Sequence, residues 1–564
     1  MGLSVRDAAT DAPASAPVSA PARPSPTLPG LRLQALVFAA ALLPRLAHFW
    51  FVHATPLAGQ YVPDLSAYLF VAQKIVDTSF FFVQPMLMSP GYPLLIAPVL
   101  ALLGPDIQTL VLLNALFDAG SAVLAAGLAA QAAPAGLERR AGLITGLLYA
   151  LCGPLLFSAL LPLAEGPAMF CMLAALTLLL RPAKAGNGGS LGLYLGGAMF
   201  ALAALLRPNL APAGPLIALA WCLSAPAPQA IDAKGPAPRR QRMASAGRFL
   251  AGMLLTLLPF MGHNLALEGR PTPFGFQGGI TFHSGNFQGA SGVGDTLPGF
   301  TNTPYLVILQ AWAEASQRLG RPLTLAEADA YWYGQGFRFF AEHPGEAARL
   351  LLKKALLLVN AHGQDASVDL EFSRRFSPVP SLLALPLGLC FALAAVGLLR
   401  SLGSQRRTPE GLALAAALAW GALSVVLFQV TPRYRSVLLP LALCFAGLGL
   451  AGLPELLRQP RNRLLAPALV FAVVLGLAQV PLSALLDTPG LPAQEYARLG
   501  RYYLMTGEQP LARAALDAAL ALPLEPEQAA QLGLMRRASL ALEGRGGQPD
   551  TRTPGTRKPA PPAP

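Results

Sequence analysis

Charged residues are scarce in this chain: 12% of its 564 positions, against 54% hydrophobic. A soluble domain carries about 25% charge, and a soluble core of this size could not hide the deficit. A bilayer is the solvent the composition calls for. Cysteine is sparse too. Cys152, Cys171, Cys222, Cys390 and Cys444 all sit in apolar runs and form no CxxC pair, which argues against a zinc ribbon or a disulfide framework. There is no GxxxxGK[ST] loop, no GxGxxG after a strand and no HExxH, so nucleotide hydrolysis and zincin chemistry have no support. The start lacks the compact charged-then-apolar pattern of a cleaved signal peptide. Net charge is +12. The positive-inside bias of membrane proteins accounts for that excess, and no nucleic-acid partner is expected.

What is present is a series of long apolar runs. Residues in lipid must satisfy their backbone groups internally, so these runs are helices. Spans are expected near Leu31–Phe51, Asp106–Gln131, Ala141–Leu160, Gly166–Leu180, Leu191–Leu206, Asn209–Leu223, Gly247–His263, Ser381–Leu399, Gly411–Val430, Tyr434–Leu453 and Leu464–Leu486. The fold class is therefore all-α, a polytopic transmembrane bundle of about eleven spans. With the N-terminus in the cytoplasm, every short loop placed inside is basic, from Arg139-Arg140 to Arg461 and Arg463, as the bias requires. The C-terminus then lies outside, and the protein belongs in the plasma (inner) membrane.

Two regions extend on the outer side, 52–105 and 264–380. In the first, Ser66–Asp77 and the Pro/Gly-bracketed Tyr92–Leu103 read as helices on the membrane surface, the latter because runs of about 10–14 residues are more often interfacial than spanning. Residues 1–30 and 544–564, rich in Pro, Ala and Gly, read as disordered tails. Between the last span and the second tail, 487–543 is a soluble helical segment. Tyr496, Leu499, Gly500, Tyr503, Gly507, Ala512, Leu516 and Ala519, closed by Pro523 and Pro526, fall at the offsets of a tetratricopeptide helix pair. An ordinary amphipathic hairpin fits as well. Such a segment offers a surface for a protein partner.

The polar residues that could carry chemistry gather on the outer side. Asp64, past the first span, is placed to act as a general base or to bind a divalent metal ion, or else to cap a surface helix. Glu165 lies in a short turn between two apolar runs, where an acid is expensive unless it is used; a helix start is the alternative. Arg207, Arg433 and Arg435 reach the outer boundary. Guanidinium suits phosphate, and snorkelling to headgroups is the other reading. The glycine-rich stretch 277–292 permits close backbone approach to a ligand, with Asn286 and Ser284 as polar contacts. Of the six histidines, His283 and His53 are conceivable metal ligands.

In this order, these pieces resemble the GT-C glycosyltransferases, nearest to the protein mannosyltransferase and aminoarabinose transferase group (glycosyltransferase family 39). The residues that carry the resemblance are Asp64 with Tyr68, Ser89-Pro-Gly-Tyr-Pro93, Ala164-Glu-Gly-Pro167, Leu206-Arg-Pro208, the Gly285-Asn286 loop and Arg433-Tyr-Arg435, across about Leu31 to Leu486. The resemblance implies a sugar donor on a polyprenyl phosphate, transfer on the outer face to a lipid, glycan or protein acceptor, and a catalytic acid at Asp64. Where that family often has Asp-Glu, this chain has Asp64-Leu65, and Glu165 takes the place of the second carboxylate. Arg207, Arg433 and Arg435 would meet the lipid phosphate. A polysaccharide ligase or polymerase and a transporter are the rival readings. A transporter is expected to show repeated halves, and no internal repeat is evident.

Overall fold

The computed structural model describes residues 30–53, 55, 63–78, 84–180, 188–224, 239–294, 297–300, 304–361, 374, 376–383, 385–403, 408–480, 491–522, 524 and 526–543. The two expected tails, the stretch before Pro63 and Pro523 lie outside the described residues. Among the described residues there is no strand, only a single β-bridge between Cys152 and Leu385.

The helices are, in order, α1 (Leu31–Val52), α2 (Pro63–Asp77), α3 (Gly91–Leu103), α4 (Ile107–Ala132), α5 (Glu138–Leu151), α6 (Gly153–Ser158), α7 (Glu165–Leu180), α8 (Gly188–Leu206), α9 (Ala213–Leu223) and α10 (Arg239–Glu268). Next come α11 (Gly278–Ser284), α12 (Pro304–Leu319), α13 (Leu325–Glu342) and α14 (Pro344–Val359) in the region 264–380. Then follow α15 (Val379–Leu383), α16 (Leu387–Leu402), α17 (Pro409–Leu427), α18 (Pro432–Ser436), α19 (Leu439–Ala451), α20 (Leu453–Leu457) and α21 (Arg461–Gln479). The chain closes with α22 (Leu491–Met505), α23 (Gln509–Leu520) and α24 (Pro526–Glu543).

Five of these helices, α1, α4, α10, α17 and α21, are long and apolar enough to cross a membrane by length and composition. Each expected span has a helix, with local differences. The run 141–160 breaks at Cys152, whose backbone is extended (φ −70°, ψ 110°), because Pro154 starts α6 and cannot donate a backbone hydrogen bond. Leu385 fills the gap, its N–H donating to Leu151 O at 2.6 Å. The expected span 381–399 starts later, at Leu387, after Pro386. The expected span 247–263 is the middle of the longer α10.

The bundle core is dominated by alanine and leucine, with glycine where backbones touch. A Cβ on Gly197 would lie 1.9 Å from Phe249 O, and one on Gly397 1.7 Å from Phe445 O. These contacts lock α8 to α10 and α16 to α19, the small-residue packing that helices use where lipid supplies no hydrophobic drive. Helix α3 packs into this core and does not lie apart from it. Tyr92 and Ile96 are buried, while Leu102 and Leu103 near its end are exposed. A Cβ on Gly91 would collide with the backbone of Leu205 and Leu206 at 2.5 Å, so α3 is seated against the end of α8.

The region 264–380 has a core of its own around Ile280, Ala311, Ala315, Leu323 and Trp332. A capping box at Thr324 and Glu327 starts α13. At the C-terminus, α22 and α23 pair around Leu499, Tyr503, Ala512 and Ala515, with Phe376 packed against them. Gly507 makes the turn with φ +79°, and Gly500 abuts the Leu516 side chain.

Candidate functional site

Four charged side chains converge where α2, α7, α8 and α18 meet. Asp64 lies within the first turn of α2 and is not its cap. That position favours a carboxylate, because free N–H groups and the helix dipole face it. Glu165 is the first residue of α7. The turn before it is held by Asn114, whose amide donates to Leu161 O and, at 3.1 Å, to Leu163 O. Arg207 leaves α8 in an extended conformation, φ −138° and ψ 94°, as a residue before proline must. Arg433 sits in the short α18, capped by Thr431, whose hydroxyl accepts from Tyr434 N at 3.2 Å.

The charges alternate. Arg433 Nη1 pairs with Asp64 Oδ2, Arg433 Nε lies 3.1 Å from Glu165 Oε1, and Arg207 Nη2 pairs with the same Glu165 oxygen. Tyr434 lies against both cations, with Arg207 4.6 Å and Arg433 5.3 Å from its ring centroid. Tyr68 stands edge-on to Tyr92 at 5.0 Å. Burial, with the Asp64 charge second, pushes its phenol up to about 12, so Tyr68 stays a neutral hydrogen-bonding group.

The two carboxylates differ in access. The Asp64 side chain is 19% exposed and that of Glu165 6%. Asp64 is therefore the more accessible of the two acids, and Glu165 is the one bound by both arginines.

A cavity of about 790 Å³ runs between α9, α14, α16, α17, α19 and α21, with Leu223, Phe391, Leu398 and Ala419 among its apolar walls. Tyr434 packs on the same cluster as Leu358, Leu418, Ala422 and Leu438, and these four also line the cavity. Tyr434 thus touches the two cations on one side and belongs, on the other, to the hydrophobic cluster that supplies part of the cavity wall.

Asp64, Glu165, Arg207, Arg433 and Tyr68 are brought together; four other residues singled out from the sequence stand elsewhere. Arg435 turns away and donates to Leu357 O and Asn360 O. Asn286 is fully buried, donating to Phe282 O and Leu427 O and accepting from Lys354 Nζ. His283 packs beside Trp332, ring centroids 5.3 Å apart, and burial with the Arg318 charge pushes its imidazole down to about 4. His53 bonds Trp50 O. Among the described residues, no three His, Cys, Asp or Glu side chains gather as a metal site. Asp64 and Glu165 both face Arg433 in this arrangement.

Two buried charges were not singled out from the sequence. Arg45 of α1 and Asp118 of α4 pair at 2.8 Å with no exposure, and Tyr149 donates to the other Asp118 oxygen at 2.8 Å. Each is a charge inside an expected span, which is the signal that marks a pair.

No family model and no curated protein matches the chain. Among solved structures, it is similar to the archaeal oligosaccharyltransferase AglB from Archaeoglobus fulgidus, in complex with an inhibitory peptide and a dolichol-phosphate. The TM-score is 0.42 and the identity 14%, over 83% of this chain and 57% of that one. The chain thus spans little more than half the length of that protein. It is also similar to ArnT from Cupriavidus metallidurans bound to undecaprenyl phosphate, with TM-score 0.33 and 14% identity, over 76% of this chain and 79% of that one. Likeness at this level carries no argument about mechanism.

Proposed function

We propose that this protein is a membrane glycosyltransferase that moves a sugar from a polyprenyl phosphate to a lipid, glycan or protein acceptor on the outer face of the membrane. One observation carries the proposal: two carboxylates and two guanidiniums, largely shielded from solvent, gather on Tyr434, and Tyr434 packs in the same hydrophobic cluster as Leu358, Leu418, Ala422 and Leu438 of an apolar cavity of about 790 Å³. The cavity offers room for a prenyl chain, and the arginines offer bidentate donors for the phosphate at its head.

The acceptor hydroxyl attacks the anomeric carbon. A new C–O bond forms as the bond to the lipid phosphate breaks, and its electron pair leaves with the phosphate. Asp64 takes the hydroxyl proton. Arg433 and Arg207 meet the charge that develops on the leaving phosphate, the electrostatic part of the catalysis. Glu165 holds the two guanidiniums at the spacing that receives it. In the free protein the arginines are paired with the acids. Donor binding draws them onto phosphate and releases Asp64 as a base, so donor binds before acceptor. These steps use the carboxylates and guanidiniums alone. The proposal includes about eleven crossings, an N-terminus in the cytoplasm and a tetratricopeptide-like role for α22 and α23 in contacting a protein partner.

Farnesyl phosphate, a short water-dispersible prenyl phosphate, tests the head-and-tail reading. The detergent-solubilised full chain is expected to bind it, and Arg433→Gln to weaken binding by about 10–100-fold, the worth of charge-assisted hydrogen bonds. Farnesol, which lacks the phosphate, is expected to bind both proteins alike. Equal affinity of wild type and Arg433→Gln for farnesyl phosphate would remove the phosphate role.

A further inference from the structure

A lysine with no exposure lies in the outer region. Lys354 belongs to α14, and its ammonium donates to Gly285 O at 2.7 Å, Asn286 Oδ1 at 2.9 Å and Phe428 O at 2.6 Å. Burying an ammonium is costly unless charge answers it. Here the answer comes in part from backbone. Gly285 is the C-cap of α11 and Phe428 the C-cap of α17. The ends of helices carry unpaired carbonyls and the negative pole of the dipole, where a cation is stabilised. Asn286 adds to the same joint, its amide donating to Phe282 O of α11 and Leu427 O of α17, each at 2.8 Å.

We propose that Lys354 is a positioning residue for Arg433 and Tyr434, acting by fixing how α17 ends. The inference rests on the functional reading above, in which Arg433 receives the lipid phosphate. Its chain of contacts is short. Phe428 leaves α17 with φ −95° and ψ −88°, which neither continues the helix nor starts a strand. Val430 N then donates to Gly292 O at 2.9 Å. Thr431 caps α18, and Arg433 and Tyr434 follow at once. The outer turn and the end of α17 are in backbone contact, since a Cβ on Gly285 would lie 2.0 Å from Phe428 O. Lys354 holds both sides of that contact, so the second outer region sets the aim of the guanidinium although no residue of that region belongs to the charged cluster.

A lysine that only stabilised the fold would lower lipid-phosphate affinity independently of Arg433. A positioning lysine acts through Arg433, and its effect vanishes once that guanidinium is gone. The test is a double-mutant cycle on the full chain in detergent, read as the Kd for farnesyl phosphate, with thermal melting to confirm that each variant is folded. Lys354→Met keeps length and apolar bulk. It is expected to weaken binding about tenfold in the wild type and less than about twofold in the Arg433→Gln background, where Arg207 maintains a residual affinity. Should Lys354→Met not fold, Asn286→Ala keeps the ammonium with its two backbone acceptors and removes the side chain that ties it, Phe282 O and Leu427 O into the same joint; it is expected to show a smaller loss with the same dependence on Arg433. Losses that add in the two backgrounds overturn the positioning role, as does wild-type affinity in folded Lys354→Met. Absence of farnesyl phosphate binding by the wild type overturns the donor reading itself, and the Lys354 role with it.

Discussion

Replacing Asp64 with Asn is expected to lower sugar transfer by about 10²–10⁴-fold, the usual consequence of losing a general base, while the protein stays folded. The amide has nearly the volume of the carboxylate, and its oxygen can still accept from Arg433. Arg433 also keeps Glu165 3.1 Å from its Nε, so no guanidinium is stranded. Asp64 lies in the first turn of α2 without capping it, and little helix stability is at stake. The check is the initial rate of transfer in proteoliposomes together with the melting midpoint. A folded Asp64→Asn protein that transfers at the wild-type rate would deny Asp64 the role of base.

Asp118→Ala is expected to destabilise the protein by about 3–5 kcal/mol, because it leaves a buried guanidinium without its counter-charge. Arg45 has no exposure, and its other hydrogen bonds go to the carbonyl oxygens of Ala41, Ala150 and Tyr149. Those carbonyls solvate the cation but do not neutralise it. The Tyr149 hydroxyl loses its acceptor in the same step. Removing both charges, in Arg45→Met with Asp118→Leu, is expected to be milder than removing one, since no unpaired ion remains. Thermal denaturation of the purified variants measures the order. If the double variant melts lower than Asp118→Ala, the pair holds α1, α4 and α5 together by something other than charge balance.

The all-helical character and the positions of the apolar helices were legible because lipid leaves the backbone few choices. Pro154 marks a break near Cys152 within the run 141–160, but an apolar run gives no sign that Leu385 will insert there. Asp64, Glu165, Arg207 and Arg433 could be read from sequence because each is a charge placed against apolar neighbours at one end of a helix. The glycine-rich stretch 277–292 has an internal use that the sequence did not show. Its glycines allow backbone to touch backbone within the protein, as at Gly279, where a Cβ would lie 2.0 Å from Asp329 O. Asn286 follows the same logic and is spent on the end of α17. Lys354 did leave a trace. It falls in register with Ala347, Leu350 and Leu357 on the buried face of α14, whereas the neighbouring Lys353 is off that face. A lysine at a core position of an amphipathic helix is the pattern that would have found it.

The central claim, that the donor is a sugar carried on a polyprenyl phosphate, is tested most directly by mass spectrometry of the prenyl-phosphate lipids. Membranes would be compared from cells with the gene, without it, and without it but expressing Asp64→Asn. A sugar-bearing prenyl phosphate is expected to accumulate in the second and third and to return to the first level when the wild-type gene is restored. Identical prenyl-phosphate sugar pools in all of these membranes would contradict the claim.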